Sequence, residues 1–176
     1  MIRLLFCFIC LFISSSYSMA LDFKMLKDEN WSFFSDQVMG GKSTGTIEFL
    51  SSEKNYIRMS GNVSTENNGG FIQFRHRIKN KVNGNVSKII IDAKGNNEYY
   101  YIHIRTRGTI LPWQYYSKKF YATDTWTSVE INLSDFKRSS AFLRGKIKPS
   151  SIKSIAIVAF GKNHEAMIEI SKITII

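Results

Sequence analysis

The fold class follows from residues 99–107, which have the sequence YYYIHIRTR. Tyr100, Ile102 and Ile104 alternate here with a second set of side chains that contains His103. A period of two places successive side chains on opposite faces of a β-strand, whereas a helix has a period of 3.6. The stretch therefore predicts a half-buried strand with one apolar face and one face of mixed polar and aromatic side chains.

The same period recurs along most of the chain. Further strands are predicted at 45–49, 72–78, 88–93, 126–133, 154–160 and 167–176, and one strand leads to Phe120. The run at 154–160 is apolar on both faces, which indicates a fully buried strand. The alternation slips near Ser171 and Lys172, where a β-bulge is predicted. The only helical candidate is a turn at 134–137.

These segments predict an all-β domain. Eight or nine short strands are separated by Gly, Asn, Asp, Ser and Lys turns, and the whole chain contains two prolines. No segment of twelve residues has helical periodicity, so an antiparallel sandwich or barrel is favoured. One domain is expected over residues 21–176.

The first twenty residues have the pattern of a secretory signal peptide. Arg3 precedes an apolar run at 4–13, and both Ser16-Tyr17-Ser18 and Ser18-Met19-Ala20 fit a small-x-small cleavage site. An uncleaved anchor is the alternative. Both cysteines, Cys7 and Cys10, lie in this segment. The mature chain then has no disulfide, thiolate metal site or cysteine nucleophile, and the expected location is periplasmic or secreted.

The chain is basic, with a formal net charge of +10. The Lys and Arg residues are scattered rather than gathered in a long block, which is typical of attraction to anionic surfaces. Nucleic acid is therefore not a predicted partner. For an exported protein, the expected anionic surfaces are cell-envelope polymers or lipid headgroups.

Two glycine-rich stretches lie about twenty-five residues apart. They are WSFFSDQVMGGKS at 31–43 and GNVSTENNGGF at 61–71. Paired glycines mark backbone that has positive φ or is closely approached by other atoms. Asp36 is predicted to hydrogen-bond the backbone of the turn at 39–41. Neither stretch fits a phosphate-binding loop.

No catalytic residue, metal site or cofactor is predicted. His76, His103 and His164 lack metal-ligand spacing, and His76 falls at an inward position where a packed histidine is expected. No Gly-x-Ser-x-Gly motif is present. The rival hypothesis is a hydrolase that uses Asp36 or Glu66, which requires the two acids to face an open cleft.

Aromatic residues provide the candidate binding site. Aromatic rings stack on the apolar face of a pyranose while amides and guanidinium groups bond its hydroxyls. If their loops converge, the predicted set is Trp113, Tyr115, Tyr116, Asn67, Asn68 and Arg105. Two alternatives are left open: Trp113 and Tyr115 plug one end of the sandwich, or the exposed patch is a protein-binding site.

The two glycine stretches, in this order and spacing, resemble the complex I intermediate-associated 30-kDa protein family. The segments PWQYY at 112–116, 126–133 and 155–161 agree with that family more weakly. The resemblance implies a galactose-binding-like jelly-roll β-sandwich and a role in complex I assembly, with no established catalytic residues. The family-motif positions expected to be mainly structural are Asp36, Met39, Gly40, Gly41, Ser43, Gly69, Gly70 and Phe71.

The resulting hypothesis is a non-enzymatic, exported binding module with a protein partner. A carbohydrate-binding module of the cell envelope is the alternative, and a hydrolase is the third. A flat apolar patch favours a protein partner, whereas a concave groove of aromatic and amide side chains favours a sugar.

Overall fold

The computed structural model describes residues 21–22, 25, 30–82 and 85–176. The predicted signal peptide, with Cys7 and Cys10, lies outside the described residues. Within the part that is described, no helix is long and apolar enough to cross a membrane.

The described residues form twelve strands, which alternate with short turns and four single-turn 3-10 helices. The strands are β1 (Leu21–Asp22), β2 (Trp31–Ser35), β3 (Thr44–Ser51), β4 (Asn55–Val63), β5 (Phe71–Arg77), β6 (Lys88–Gly95), β7 (Glu98–Thr106), β8 (Tyr116–Ala122), β9 (Thr127–Asn132), β10 (Lys137–Arg138), β11 (Ile152–Phe160) and β12 (His164–Ile175). The 3-10 helices are Asp36–Met39, Glu66–Asn68, Leu133–Asp135 and Pro149–Ser151.

The strands form two antiparallel sheets. The first sheet has the order β3-β4-β12-β6-β9, with β1 paired to β12. The second sheet has the order β10-β8-β7-β11-β5-β2. The predicted all-β sandwich is confirmed.

The core lies between the inner faces of the sheets and is rich in isoleucine. In β7, Tyr100, Ile102 and Ile104 are fully buried, as the period-two pattern predicted. The Tyr100 hydroxyl accepts a hydrogen bond from the Met167 amide at 2.9 Å. Burial raises the pKa of Tyr100 to about 12, so the phenol stays neutral.

Several local predictions are confirmed. The β12–β6 register shifts between Ile170 and Lys172, where a bulge was expected. The predicted turn at 134–137 overlaps the 3-10 helix Leu133–Asp135. His76 lies against Trp31, with ring centroids 4.6 Å apart.

Candidate functional site

The outer face of the second sheet carries a groove of about 510 Å³. We call it the aromatic groove. Its lining residues are Phe34, Val38, Met39, Asn68, Gly69, Phe71, Gln73, Arg75, His103, Arg105, Pro112, Trp113, Tyr115, Ser154, Ala156, Val158 and Phe160. They come from strands β2, β5, β7 and β11 and from loops at both ends of the second sheet. Val38, Met39, Asn68 and Gly69 lie at the end where β2 stops and β5 begins, and Pro112, Trp113 and Tyr115 belong to the β7–β8 loop at the other end.

The floor of the aromatic groove is low because β11, near the middle of the sheet, carries small side chains on its outer face. Ala156 pairs with Arg75 on β5 and with His103 on β7. Val158 pairs with Gln73 in the next row. Longer side chains on the flanking strands therefore rise on either side of a central depression.

One wall of the groove is aromatic. The Tyr115 and His103 rings stack, with centroids 4.0 Å apart and 14° between their planes. Trp113 follows Pro112 on the same loop and is 62% exposed. Burial lowers the pKa of His103 to about 4, so this ring is neutral at physiological pH.

The loop that presents Trp113 is held by hydrogen bonds on both sides. The Gln114 Oε1 atom accepts bonds from the amides of Ile110 and Leu111 at 2.9 and 3.0 Å. The Ser139 hydroxyl donates to the Trp113 carbonyl at 2.7 Å. An exposed ring on a fixed loop loses little conformational freedom when a ligand binds.

The opposite wall is formed by β2 and by the two glycine-rich stretches. The Arg75 guanidinium lies over the Phe34 ring, 4.3 Å from its centroid. Val38 and Met39 are exposed at the rim, and Asn68 lies beside them in the groove.

Asp36 joins the two glycine-rich stretches. Its carboxylate is fully buried and accepts bonds from the Ser43 amide at 2.9 Å and the Ser43 hydroxyl at 2.5 Å. It also accepts bonds from the amides of Gly70 at 2.5 Å and Phe71 at 3.3 Å. Burial acts to raise the pKa of Asp36, but the bonds from Ser43, Gly70 and Phe71 together lower it below its ordinary value.

This arrangement corrects the expected partners of Asp36. Its side chain bonds Ser43 and the second stretch rather than the turn at 39–41, because that turn closes through backbone bonds alone. The Gly41 amide donates to the Asp36 carbonyl at 3.0 Å, and the Gly40 amide donates to the Gln37 carbonyl at 3.1 Å.

The glycines are required for two different reasons. Gly40 and Gly70 have φ of +83° and +125°, which favours glycine. At Gly41 and Gly69, a Cβ atom would lie 2.3 Å from the Asp36 carboxylate. The buried carboxylate therefore fits only because these two positions lack a side chain.

Four of the six predicted binding residues meet in the aromatic groove: Trp113, Tyr115, Asn68 and Arg105. The other two do not. Tyr116 is only 2% exposed and points into the core, where its hydroxyl donates to the Arg144 carbonyl at 2.9 Å. The Asn67 side chain donates to the Gly40 carbonyl at 3.2 Å and supports the rim from outside the groove.

The plug alternative, which named Trp113 and Tyr115, is wrong for Trp113, which is 62% exposed, while Tyr115 is half-buried against His103 on the outer face of the sheet. Sequence reasoning did not assign Phe34, Gln73, Arg75, His103 or Phe160 to the site. The alternation along the strands could have identified part of this set. Gln73, Arg75 and His103 alternate with core residues, so their side chains lie on the outer face of the sheet.

The acids do not form a catalytic pair in the groove. Asp36 is buried and fully hydrogen-bonded, while Glu66 is exposed and ion-paired with Lys42 at 2.5 Å. Among the described residues, no Asp or Glu lines the aromatic groove, and no cluster of three or more potential metal ligands is found. The groove offers ring faces, amides and guanidinium groups, which suit binding of a polar ring.

Comparison with known proteins gives a family and a set of similar folds. The family model for Complex I intermediate-associated protein 30 matches residues 21–170. No curated protein shows a significant match to the sequence.

The fold is similar to that of solved carbohydrate-binding modules. A family 11 module from Clostridium thermocellum, solved in complex with a beta-1,3-1,4-mixed-linked tetrasaccharide, has a TM-score of 0.73 at 16% identity, over 89% of this chain and 95% of that one. A family 30 module from the same organism has a TM-score of 0.61 at 15% identity, over 89% and 97% of the two chains. An exo-beta-agarase aligns at 0.61 and 10% identity, over 90% of this chain but 25% of its own.

Proposed function

We propose that this chain, which belongs to the Complex I intermediate-associated protein 30 family, is a non-catalytic module that binds a carbohydrate in its aromatic groove. The observation that carries the proposal is the exposed Trp113 beside the stacked rings of Tyr115 and His103, above a floor of small and polar side chains. A concave groove of this composition favours a sugar over a protein, whose docking surface is flatter and apolar.

In this proposal different side chains contact different parts of the sugar. Trp113 stacks against the apolar face of a sugar ring. Gln73 and Asn68 provide donors and acceptors for hydroxyl groups, and Arg75 and Arg105 provide donors alone. Because the Trp113 loop is already fixed by Gln114 and Ser139, little ordering is needed on binding.

The similar folds support carbohydrate as the class of ligand. The sheet that carries the groove belongs to a sandwich of the same kind as modules described as carbohydrate-binding. At 16% identity or less, the likeness extends to the fold and not to the choice of sugar.

The proposal of a non-catalytic role rests on the groove's chemistry. Glycoside hydrolysis commonly uses two carboxylates that flank the bond to be cut. The described lining residues include no carboxylate. The rival hydrolase hypothesis named Asp36 and Glu66, but Asp36 is fully buried with four hydrogen-bond donors on its carboxylate, and neither acid lines the groove.

The test is affinity electrophoresis and calorimetry with a panel of soluble glycans. Trp113→Ala should weaken binding at least about tenfold, because a central aromatic anchor contributes about 2 kcal/mol. Phe142→Ala is the matched control, since Phe142 is 94% exposed and lies outside the groove. Equal binding by both variants, or no binding to any glycan, would overturn the proposal.

A protein partner is the second candidate, and the observation that favours it is the apolar rim. Ile110 and Leu111 on the Trp113 loop are exposed, and so are Val38 and Met39 on the opposite side of the groove. An exposed apolar rim could bind a protein partner, as the assembly role implied by the family resemblance requires. Cross-linking from Ile110→Cys to one stoichiometric envelope protein, with Phe142→Cys as the control, would support this candidate, and absence of any such product would remove it.

We also propose that the protein is exported, on the strength of the signal-peptide pattern in residues 1–20. Amino-terminal sequencing of the protein from its native cells tests this. A mature terminus near residue 19 or 21 supports export, whereas an intact start at Met1 in the cytosolic fraction contradicts it.

A further inference from the structure

A strongly cationic cavity of about 500 Å³ lies next to the aromatic groove. We call it the cationic end and define it by Arg75, Arg77, Arg105, Arg107 and Lys153. Arg75, Arg105 and Ser154 line both cavities, so the two are adjacent on the outer face of the sheet. A single extended ligand can therefore lie in both.

The sheet register sets the spacing of the charges. Ser154 on β11 pairs with Arg77 on β5 and with Arg105 on β7. Because neighbouring strands lie about 4.8 Å apart, the Cα atoms of the two arginines are about 10 Å apart across the row. Their long side chains can converge on one anionic group above Ser154.

Two further cations are held at the edge of the cavity. The Arg107 Nη1 atom donates to the Ser150 carbonyl at 2.7 Å. The Lys153 Nζ atom donates to the Thr109 carbonyl at 2.9 Å. These bonds use part of each group's donor capacity and leave its charge unneutralised.

No carboxylate compensates this charge within the described part of the chain. The described lining residues of the cavity include no Asp or Glu, and none of the five defining residues forms an ion pair with a described carboxylate. Burial and then repulsion from Arg105 and Arg77 lower the pKa of Arg75. Burial and then repulsion from Arg105 and Arg75 lower the pKa of Lys153. An anion in this cavity would relieve the repulsion.

We infer that the ligand of this groove is an acidic glycan, with a carboxylate- or sulfate-bearing sugar at the cationic end and an uncharged sugar against Trp113. The inference rests on the proposed carbohydrate-binding function and adds the class of sugar. Arginine suits this task because its planar fork pairs with both oxygens of a carboxylate or with two oxygens of a sulfate.

The distribution of charge argues against nucleic acid as the occupant. A nucleic acid carries a phosphate at every nucleotide, so its binding groove has cations along its length. Here Arg77, Arg107 and Lys153 line the cationic end alone, and Arg75 and Arg105 lie where the two cavities meet. Trp113, Tyr115, Val38 and Met39 line only the rest of the groove, which has no further Lys or Arg among its described lining residues. A glycan that alternates charged and neutral sugars matches this asymmetry.

The test is calorimetric titration of the purified protein with four probes. Hyaluronan oligosaccharide alternates a uronate with a neutral sugar, and κ-carrageenan oligosaccharide alternates a sulfated sugar with a neutral one. Mixed-linkage β-glucan is the neutral probe, and single-stranded oligothymidylate is the polyanion probe. The two acidic probes distinguish carboxylate from sulfate as the recognised group.

The expected result is that at least one acidic glycan binds more tightly than the neutral glucan and weakens as salt rises from about 50 to about 500 mM. Arg77→Gln and Arg107→Gln should each lower that affinity by about tenfold or more, because each removes one charge-assisted contact. Lys172→Gln is the matched control, since Lys172 is exposed on the first sheet. Melting curves of all three variants should overlay that of the parent protein.

Two results would overturn the inference and leave the proposed function standing. The first is that acidic and neutral glycans bind equally tightly and that salt does not change the affinity. The second is that both arginine variants keep the parent affinity while Trp113→Ala still loses binding. Tighter binding of oligothymidylate than of either acidic glycan would assign the groove to nucleic acid. Failure of every glycan to bind would remove the inference together with the proposed function.

Discussion

Replacing Asp36 with alanine should destabilise the whole domain, although Asp36 lies in a turn. The carboxylate accepts hydrogen bonds from the Ser43 hydroxyl and from the amides of Ser43, Gly70 and Phe71. Truncation would leave these donors facing a small void. The 3-10 helix that carries Val38 and Met39 would lose its tie to the second glycine-rich stretch.

The magnitude follows from the number and type of bonds. Each hydrogen bond to a charged group contributes about 1.5–3 kcal/mol, but bonds that share one acceptor are not additive. Single substitutions that cost more than about 4–5 kcal/mol are exceptional. We therefore expect Asp36→Ala to cost about 4 kcal/mol and Asp36→Asn, which keeps one carbonyl oxygen, about 2 kcal/mol.

Thermal unfolding measured by circular dichroism provides the assay. For a domain of this size, each 1 kcal/mol shifts the melting temperature by about 2–4 °C, so Asp36→Ala should melt about 8–16 °C lower. Asp124→Ala is the control, because Asp124 is exposed, and its loss should change stability by less than about 0.5 kcal/mol. A melting temperature for Asp36→Ala within about 2 °C of the parent would refute the reasoning.

The pH dependence of folding stability tests the same hydrogen bonds independently. The pKa of Asp36 is lower in the folded state than its ordinary value of 3.8. The stabilisation is therefore complete above the unfolded pKa and is lost as pH falls from about 4 towards the folded pKa. The parent protein should lose stability over this acid range more steeply than Asp36→Ala, and parallel curves would contradict the assignment.

Two further predictions concern the glycines and the core hydroxyl. Gly41→Val and Gly70→Val should each lower the melting temperature, the first by collision with Asp36 and the second through its φ of +125°, whereas Gly145→Val should have little effect because nothing lies within 4 Å of its Cβ position. Equal melting of all three variants would contradict this account. Tyr100→Phe should cost about 1–2 kcal/mol in denaturant unfolding, because the partly buried Met167 amide loses its acceptor, and Tyr99→Phe should cost less because Tyr99 is exposed. An effect at Tyr99 as large as that at Tyr100 would count against the assigned hydrogen bond.

Much of the fold could be predicted from period-two alternation, but β2 and β4 were missed for identifiable reasons. In β2, Trp31 and Phe33 face inward while Phe34 faces the groove, so aromatic residues occupy both faces and hide the period. In β4, Ile57, Met59 and Val63 are buried, but Gly61 interrupts the series. A Cβ atom at Gly61 would lie 2.1 Å from the Thr44 carbonyl, so close strand packing requires glycine there.

The candidate site was predictable in part. Trp113, Tyr115 and Arg105 were found because aromatic and polar side chains cluster around one loop in the sequence. Tyr116 was assigned to the groove wrongly. It is four residues before Phe120 on β8, so both side chains face the core. The cationic end was not found because its arginines are far apart in the chain and meet only through the pairing of β5, β11 and β7. Pairing between distant strands cannot be read from local periodicity.

The most direct test of carbohydrate binding is an NMR titration that follows the tryptophan indole N–H signals. The chain has three tryptophans. Trp31 is buried in the core, Trp113 is exposed in the aromatic groove, and Trp126 packs against Tyr56, a residue of the first sheet. Titration with the acidic oligosaccharides should shift the Trp113 signal, assigned through Trp113→Phe, and leave the other two in place. A saturable shift of Trp126 alone, or no shift of any indole signal with any glycan, would contradict a sugar-binding site in this groove.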